Sequence, residues 1–196
     1  MQFYIVNNDK HTHIKHKKMK TFNVPSREEV SANNQTLFDN LKKGLGKVPN
    51  LYATMAYSEN ALATYLALST GKTSLKAKEK EVVNLVVSQV NDCDYCLAAH
   101  TYIGKLNGFS DEQIIEIRKG SASFDPKLNA LAALVKNQVE NKGKVDPALV
   151  DAFFAAGFTN ENLVDVIIVI GDKVVTNYLY AATKVPLDFP AAPALS

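Results

Sequence analysis

Helix punctuation recurs along this chain at intervals too short for anything but a helical layout. Asp125-Pro126 and Asp146-Pro147 each set a side-chain acceptor before a proline, which opens a helix where the missing N–H costs nothing. Ser26 with Glu29 makes a capping-box pattern after Pro25, and Ser110 begins another helix start. Gly44, Gly46, Gly71, Gly108, Gly120 and Gly157 supply the stops. Between these marks the pattern predicts helices over 26–43, 60–70 capped by Ser58, 75–90 capped by Ser74, and 93–107 with Asp92 as N-cap. Further helices are expected over 110–120, from 126 onward, over 147–157 and over 160–183, with a short apolar piece from Leu51 to Tyr57. No stretch shows the alternation of a half-buried strand; the valines of 82–90 are the one place where a strand competes. The expected fold is all-α, a single-domain bundle of about seven or eight helices.

At 196 residues the chain is long enough to bury one continuous core without staples. Its net charge of +2 owes much to Lys10, Lys15, Lys17, Lys18 and Lys20. Residues 1–20 read as a mobile basic tail and 21–196 as the helical domain, with Met19 as an alternative start of translation. A basic run can touch nucleic acid or anionic lipid, but a solvated tail with neither partner is the expectation here. The most apolar run, Val164 to Val175, is interrupted by Asp165, Gly171 and Asp172 and is too short to span a bilayer. The N-terminus lacks the apolar core of a secretory signal, so the cytoplasm is the expected compartment. There a lone Cys-x-x-Cys is catalytic or metal-binding more often than it is a staple.

Both cysteines of the chain, Cys93 and Cys96, lie three residues apart. Of four histidines, His11, His13 and His16 fall in the tail, and His100 stands four residues past Cys96. At about 100° per helical residue, Cys93, Cys96 and His100 share an arc of about 60°. Cys93 is expected in the first turn, where the helix end favours a thiolate, and Cys96 one turn from an imidazole able to take its proton. The pair can also close a disulfide. On the preceding helix Glu81, Asn84 and Ser88 recur at spacings of three and four, a polar stripe on an otherwise apolar element. Facing the motif helix, that stripe would let Glu81 orient His100 or accept its proton; composition alone favours a solvated glutamate. Tyr95 and Ser88 complete the candidate set as supporting residues, Tyr95 either donating to the thiols or packing as an aromatic. Phe153, Phe154, Tyr178 and Tyr180 are expected in the core or at a subunit contact.

The pattern Glu81-x11-Cys93-x-Tyr95-Cys96-x3-His100, with Leu97-Ala98-Ala99 before the histidine, resembles the alkyl hydroperoxidase D-like branch of the carboxymuconolactone decarboxylase superfamily. The resemblance is strong over residues 76–107. It implies a helical homo-oligomer, a trimer or hexamer, with dithiol peroxidase activity. A small hydroperoxide oxidises the pair to a disulfide, and an external thiol, lipoyl-type or another dithiol, reduces it again. It also implies that Glu81 and His100 serve the cysteines as a proton relay, with no cofactor and no metal. Relatives that decarboxylate carboxymuconolactone typically lack the cysteine pair, so its presence argues against that branch. Either cysteine could attack: the helix end favours Cys93, the nearby base favours Cys96, and the base tips the choice to Cys96. Two other readings stay open. One is a thiol-disulfide oxidoreductase or redox sensor without peroxidase activity. The other is a zinc site of Cys93, Cys96 and His100 with Glu81 or a tail histidine, although the chain has no second ligand pair at matched spacing.

Overall fold

The computed structural model describes residues 22–195, and every regular element in them is helical; the expectation for the basic tail lies outside the described residues. A single 3-10 turn (Arg27–Glu29) precedes α1 (Ala32–Leu45), α2 (Asn50–Met55), α3 (Ala61–Ser69), α4 (Ala77–Val90) and α5 (Asp94–Leu106). Then come α6 (Asp111–Arg118), α7 (Pro126–Glu140), α8 (Pro147–Ala155) and α9 (Asn160–Thr183). The described residues thus hold nine α-helices in one domain, all-α as expected, the extra one being the short apolar piece after Pro49.

The valine run of α4 is a helix, not a strand, and it is the centre of the bundle. Val82, Val83, Leu85, Val86 and Val87 are all fully buried and Glu81, Asn84 and Ser88 are buried beside them, so α4 is covered nearly all round. α5, α6, α7 and α9 cover it. Gly104 of α5 faces Ile114 and Leu85: a Cβ there would make ordinary contact, 3.4 Å from Ile114 Cδ1 and 3.8 Å from Leu85 Cδ1. Phe153 and Phe158 stack at 4.2 Å in the same core.

Several starts differ from the sequence expectation. Ser26 caps only the 3-10 turn; α1 begins later, with Ser31 accepting from the Asn34 N–H, because Val30 turns extended between them. Ser74 does not cap α4: its hydroxyl and N–H both donate to Asp165 on α9 at 2.6 Å. The cap there is Lys76, whose N–H is taken by Glu79 at 2.7 Å. Asn60, not Ser58, is the N-cap of α3, although the Ser58 hydroxyl still accepts from the Ala61 N–H.

α9 buries polar and apolar side chains together. Asp172, Lys173, Thr176 and Asn177 are enclosed along with Val166, Val169 and Tyr180, while Val164, Ile167, Ile168, Val175 and Tyr178 are exposed. Among the described residues no helix is long and apolar enough to cross a membrane.

Because Leu85 is fully enclosed at the contact of α4 with α5 and α6, Leu85→Ala should destabilise the protein by about 2–5 kcal/mol. Denaturant unfolding followed by circular dichroism checks this, and a loss below about 1 kcal/mol would show that the centre of the bundle lies elsewhere.

Candidate active site

α4 ends at Val90, and the chain reverses through Asn91 and Asp92, the latter in the left-handed region at φ 50°. Asp92 therefore cannot be the N-cap it was expected to be. Cys93 takes that place: its own N–H donates to the Ser88 carbonyl at 2.9 Å, and its sulfur accepts from the Cys96 N–H at 3.3 Å. Cys93 thus stands just before the first turn of α5 and Cys96 within it. The two are joined in a disulfide, their Cα atoms 5.3 Å apart, and neither residue is more than 3% exposed.

His100 lies one turn beyond Cys96, and its Nδ1 is 2.9 Å from Glu81 Oε2 on α4. The polar stripe of α4 does face the motif helix. Asn84 donates from Nδ2 to the other Glu81 oxygen at 3.0 Å. Burial, the largest influence on the Glu81 carboxyl, pushes its pKa up; His100, the Asn84 amide and the charge of Lys173 together outweigh it and hold the carboxyl below its usual value. Ser88 contributes through its backbone carbonyl; its buried hydroxyl meets no hydrogen-bond partner among the described residues.

Tyr95 is placed as a packed aromatic. Its hydroxyl donates to Asp188 at 2.5 Å and accepts from the Leu51 N–H at 3.3 Å, while its ring meets Tyr180 and Phe189. Burial first, then the Asp188 carboxylate, push the phenol pKa upward, so it stays a donor. Asp188 is also held by the Lys47 ammonium at 3.1 Å and by the Asn50 N–H. The segment after α9 therefore folds back as a strap beside the motif.

Two residues were missed at the sequence level. One is Asp188, whose acidic side chain in a proline-rich end gave no signal. The other is Lys173, only 5% exposed, with Nζ 3.2 Å from His100 Nε2 and 3.3 Å from Asp172 Oδ2. Asp172 was noticed as an interruption of the apolar run; the charge beside it was the usable sign. Of the aromatic candidates, Phe153 and Tyr180 are buried and Tyr178 is exposed.

A cavity of about 510 Å³ opens in front of the motif, lined by Cys96, His100, Lys173, Tyr52, Tyr95 and Phe189 among others. Cys93 does not line it. A second cavity, of about 430 Å³, lies on the far side of the same imidazole and is bordered by Glu81, Asn84 and Asp172. His100 and Lys173 border both. No group of three or more His, Cys, Asp or Glu residues arranged to hold a metal ion occurs among the described residues.

The helix order and packing are those of the alkylhydroperoxidase AhpD-like fold, with a disulfide-closed Cys-x-x-Cys at a helix start. The sequence model of the Carboxymuconolactone decarboxylase family matches residues 56–137, a segment that contains Glu81, both cysteines and His100. An uncharacterized peroxidase-related protein from Ralstonia eutropha JMP134, an alkylhydroperoxidase AhpD core, superposes with a TM-score of 0.76 at 18% identity, over 85% of this chain and 91% of its own. A second, from Silicibacter sp. TM1040, gives 0.72 at 21% identity, over 89% and 94%. The debrominase Bmp8, as a cysteine-to-alanine variant in complex with 2,3,4-tribromopyrrole, gives 0.72 at 15% identity, over 87% and 93%. No curated protein matches the chain. At these identities the structures establish the fold.

The lowered Glu81 carboxyl has a consequence for stability. A group whose folded pKa lies below its unfolded value stabilises the fold fully above that unfolded value, here near 4.5, and loses the contribution as pH falls through the folded one. Glu81→Gln should therefore flatten the acid limb of a stability–pH curve below about pH 5. Chemical denaturation across that range tests it, and an acid limb as steep as the wild type's would assign the loss to other carboxylates.

Proposed function

We propose that this protein is a dithiol peroxidase that reduces hydroperoxides through Cys96 and Cys93. The observation that carries the reading is that Cys96 and His100 open onto one apolar-walled cavity while Glu81 sits behind the imidazole. The match of residues 56–137 to the Carboxymuconolactone decarboxylase family model and the AhpD-like fold support a peroxidase-related role.

In this reading Cys96 is the attacking sulfur, because it borders the cavity and has the base one turn away. Its proton passes to His100, whose Nδ1–H faces the Glu81 carboxylate, so the charge that forms on the ring is matched. The thiolate attacks one peroxide oxygen, the O–O bond breaks, and the departing alkoxide takes the proton from the imidazolium to leave as an alcohol. Cys96 is then a sulfenic acid; Cys93 sulfur displaces its hydroxyl as water and the disulfide forms. An external dithiol returns two electrons and two protons. The N-cap position makes Cys93 the better leaving sulfur, because its thiolate keeps the Cys96 N–H as a hydrogen-bond donor. The reductant therefore attacks Cys96, on the cavity side. A lipoyl-type dithiol in the cytoplasm suits this step. The supporting residues act by position: Ser88 fixes the Cys93 backbone, and Tyr95 anchors the strap that walls the cavity.

The same reading includes a homo-oligomer built on the exposed face of α9. Val164, Ile168, Val175 and Tyr178 form an uncovered apolar stripe on it, and the space over Gly171 is open. Sedimentation velocity should show a trimer or hexamer that Val175→Lys shifts toward monomer; a wild-type monomer at tens of micromolar would refute this part.

For the chemistry, hydroperoxide consumption is measured with dithiothreitol or dihydrolipoamide as reductant. Cys96→Ser should abolish turnover. Cys93→Ser should lose turnover but still consume about one equivalent of peroxide and trap a sulfenic acid. Retained turnover in Cys96→Ser would rule out its assignment as the attacking sulfur. A wild type that ignores peroxide but exchanges disulfides would instead be a thiol-disulfide oxidoreductase.

A further inference from the structure

The chemistry above uses Glu81 and His100 but not the third charged group beside them. A lysine only 5% exposed is held against the cost of removing an ammonium from water, so its contacts must matter. Lys173 has two: Asp172 Oδ2 at 3.3 Å and His100 Nε2 at 3.2 Å. The groups around the imidazole are then Glu81 from α4, Lys173 and Asp172 from α9, and Cys96 on its own helix, with Tyr52 and Tyr65 on the cavity walls.

The two ring nitrogens face opposite kinds of partner. A carboxylate only accepts, so Nδ1 must carry the hydrogen; an ammonium only donates, so Nε2 must present its lone pair. An imidazolium would turn an N–H against the lysine N–H groups and set two positive charges 3.2 Å apart. The contacts made with the disulfide closed therefore fit a ring that carries its hydrogen at Nδ1 and presents a lone pair at Nε2.

We propose that Lys173 is a positioning residue that fixes the His100 tautomer and occupies Nε2 while the disulfide is closed, releasing it to Asp172 when the pair is reduced. The switching half of this proposal rests on the peroxidase reading; the tautomer half does not. On reduction, two electrons and two protons from the dithiol give Cys93 and Cys96 thiols. The Cys96 proton can reach only Nε2, because Nδ1 is engaged by Glu81, so Lys173 must let go. Asp172, adjacent in sequence and already 3.3 Å away, keeps the ammonium paired while the imidazolium exists. When the departing alkoxide takes the ring proton and the disulfide closes, Nε2 regains its lone pair and the lysine returns.

Full-length protein labelled with 15N-histidine tests this, the tail histidines being told apart from His100 by comparison with His100→Asn. The oxidised wild type should show Nδ1 protonated and Nε2 unprotonated but hydrogen-bonded; an Nε2–H tautomer overturns the proposal without any variant. In Lys173→Met the Nε2 signal should move toward that of an unbonded nitrogen, and Lys173→Arg should restore it. A Lys173→Met spectrum superposable on the wild type's, with helix content unchanged, also overturns it. Reduction of the wild type should move the Nε2 signal away from its lysine-bonded position, and an Nε2 signal unmoved by reduction refutes the switch. If the wild type shows the expected tautomer but no peroxide reaction, the lysine's placement is supported and the peroxidase reading alone fails.

Discussion

A carboxylate buried under a packed helix stays ionised only if groups on its neighbours compensate for the water it has lost. Glu81 meets that condition with partners from three helices: Asn84 beside it on α4, His100 on α5 and the charge of Lys173 on α9. Removing one member of such a set leaves an uncompensated buried charge, at a cost of about 3–5 kcal/mol, which is a large part of a domain's net stability. The contact therefore fixes how α5 and α9 sit on α4. Apolar packing against α4 tolerates small slides; a 2.9 Å contact between Nδ1 and Oε2 does not. The imidazole is aimed by the same interaction that sets the helices' register.

The cysteine pair depends on a different constraint, the geometry of the α4–α5 turn. Because Asp92 occupies the left-handed region, the chain turns sharply enough for the Cys93 N–H to reach the Ser88 carbonyl, which puts the Cys93 sulfur at the helix start as its cap. This divides the two sulfurs by environment. Cys93 is tied to the backbone at the helix end, whereas Cys96 borders the cavity, one turn from the base. Two thiols three residues apart would otherwise be close to equivalent.

Much of this was legible in the residues. The Asp-Pro pairs open α7 and α8 as they should, and the spacing of Glu81, Asn84 and Ser88 announced which side of α4 meets the motif helix. What could not be read was decided by tertiary contacts. Ser74 has the right chemistry for a helix cap, but Asp165, ninety-one residues away in sequence, offers it a charged acceptor. Tyr95 lies between the cysteines in sequence, yet its hydroxyl is claimed by Asp188 from a strap with no periodicity of its own. Lys173 was hidden for the same reason: a charge in an apolar helix is read as an interruption until the fold encloses it against His100 and Asp172.

α9 serves the site with charged and polar side chains that it encloses among apolar ones. Its inner face supplies Asp172 and Lys173 beside the imidazole and Asn177 to Asn91 at 2.9 Å, while Val166 and Val169 enter the core. The two cavities differ in their linings. The larger is walled by aromatic rings and reaches Cys96; the smaller sets Glu81, Asn84 and Asp172 among leucines. His100 and Lys173 stand at the boundary between the two, together with Tyr52. An apolar residue at 173 would leave Nε2 without the partner it has here. Keeping that nitrogen occupied is a physical reason for a lysine to remain where desolvation disfavours one.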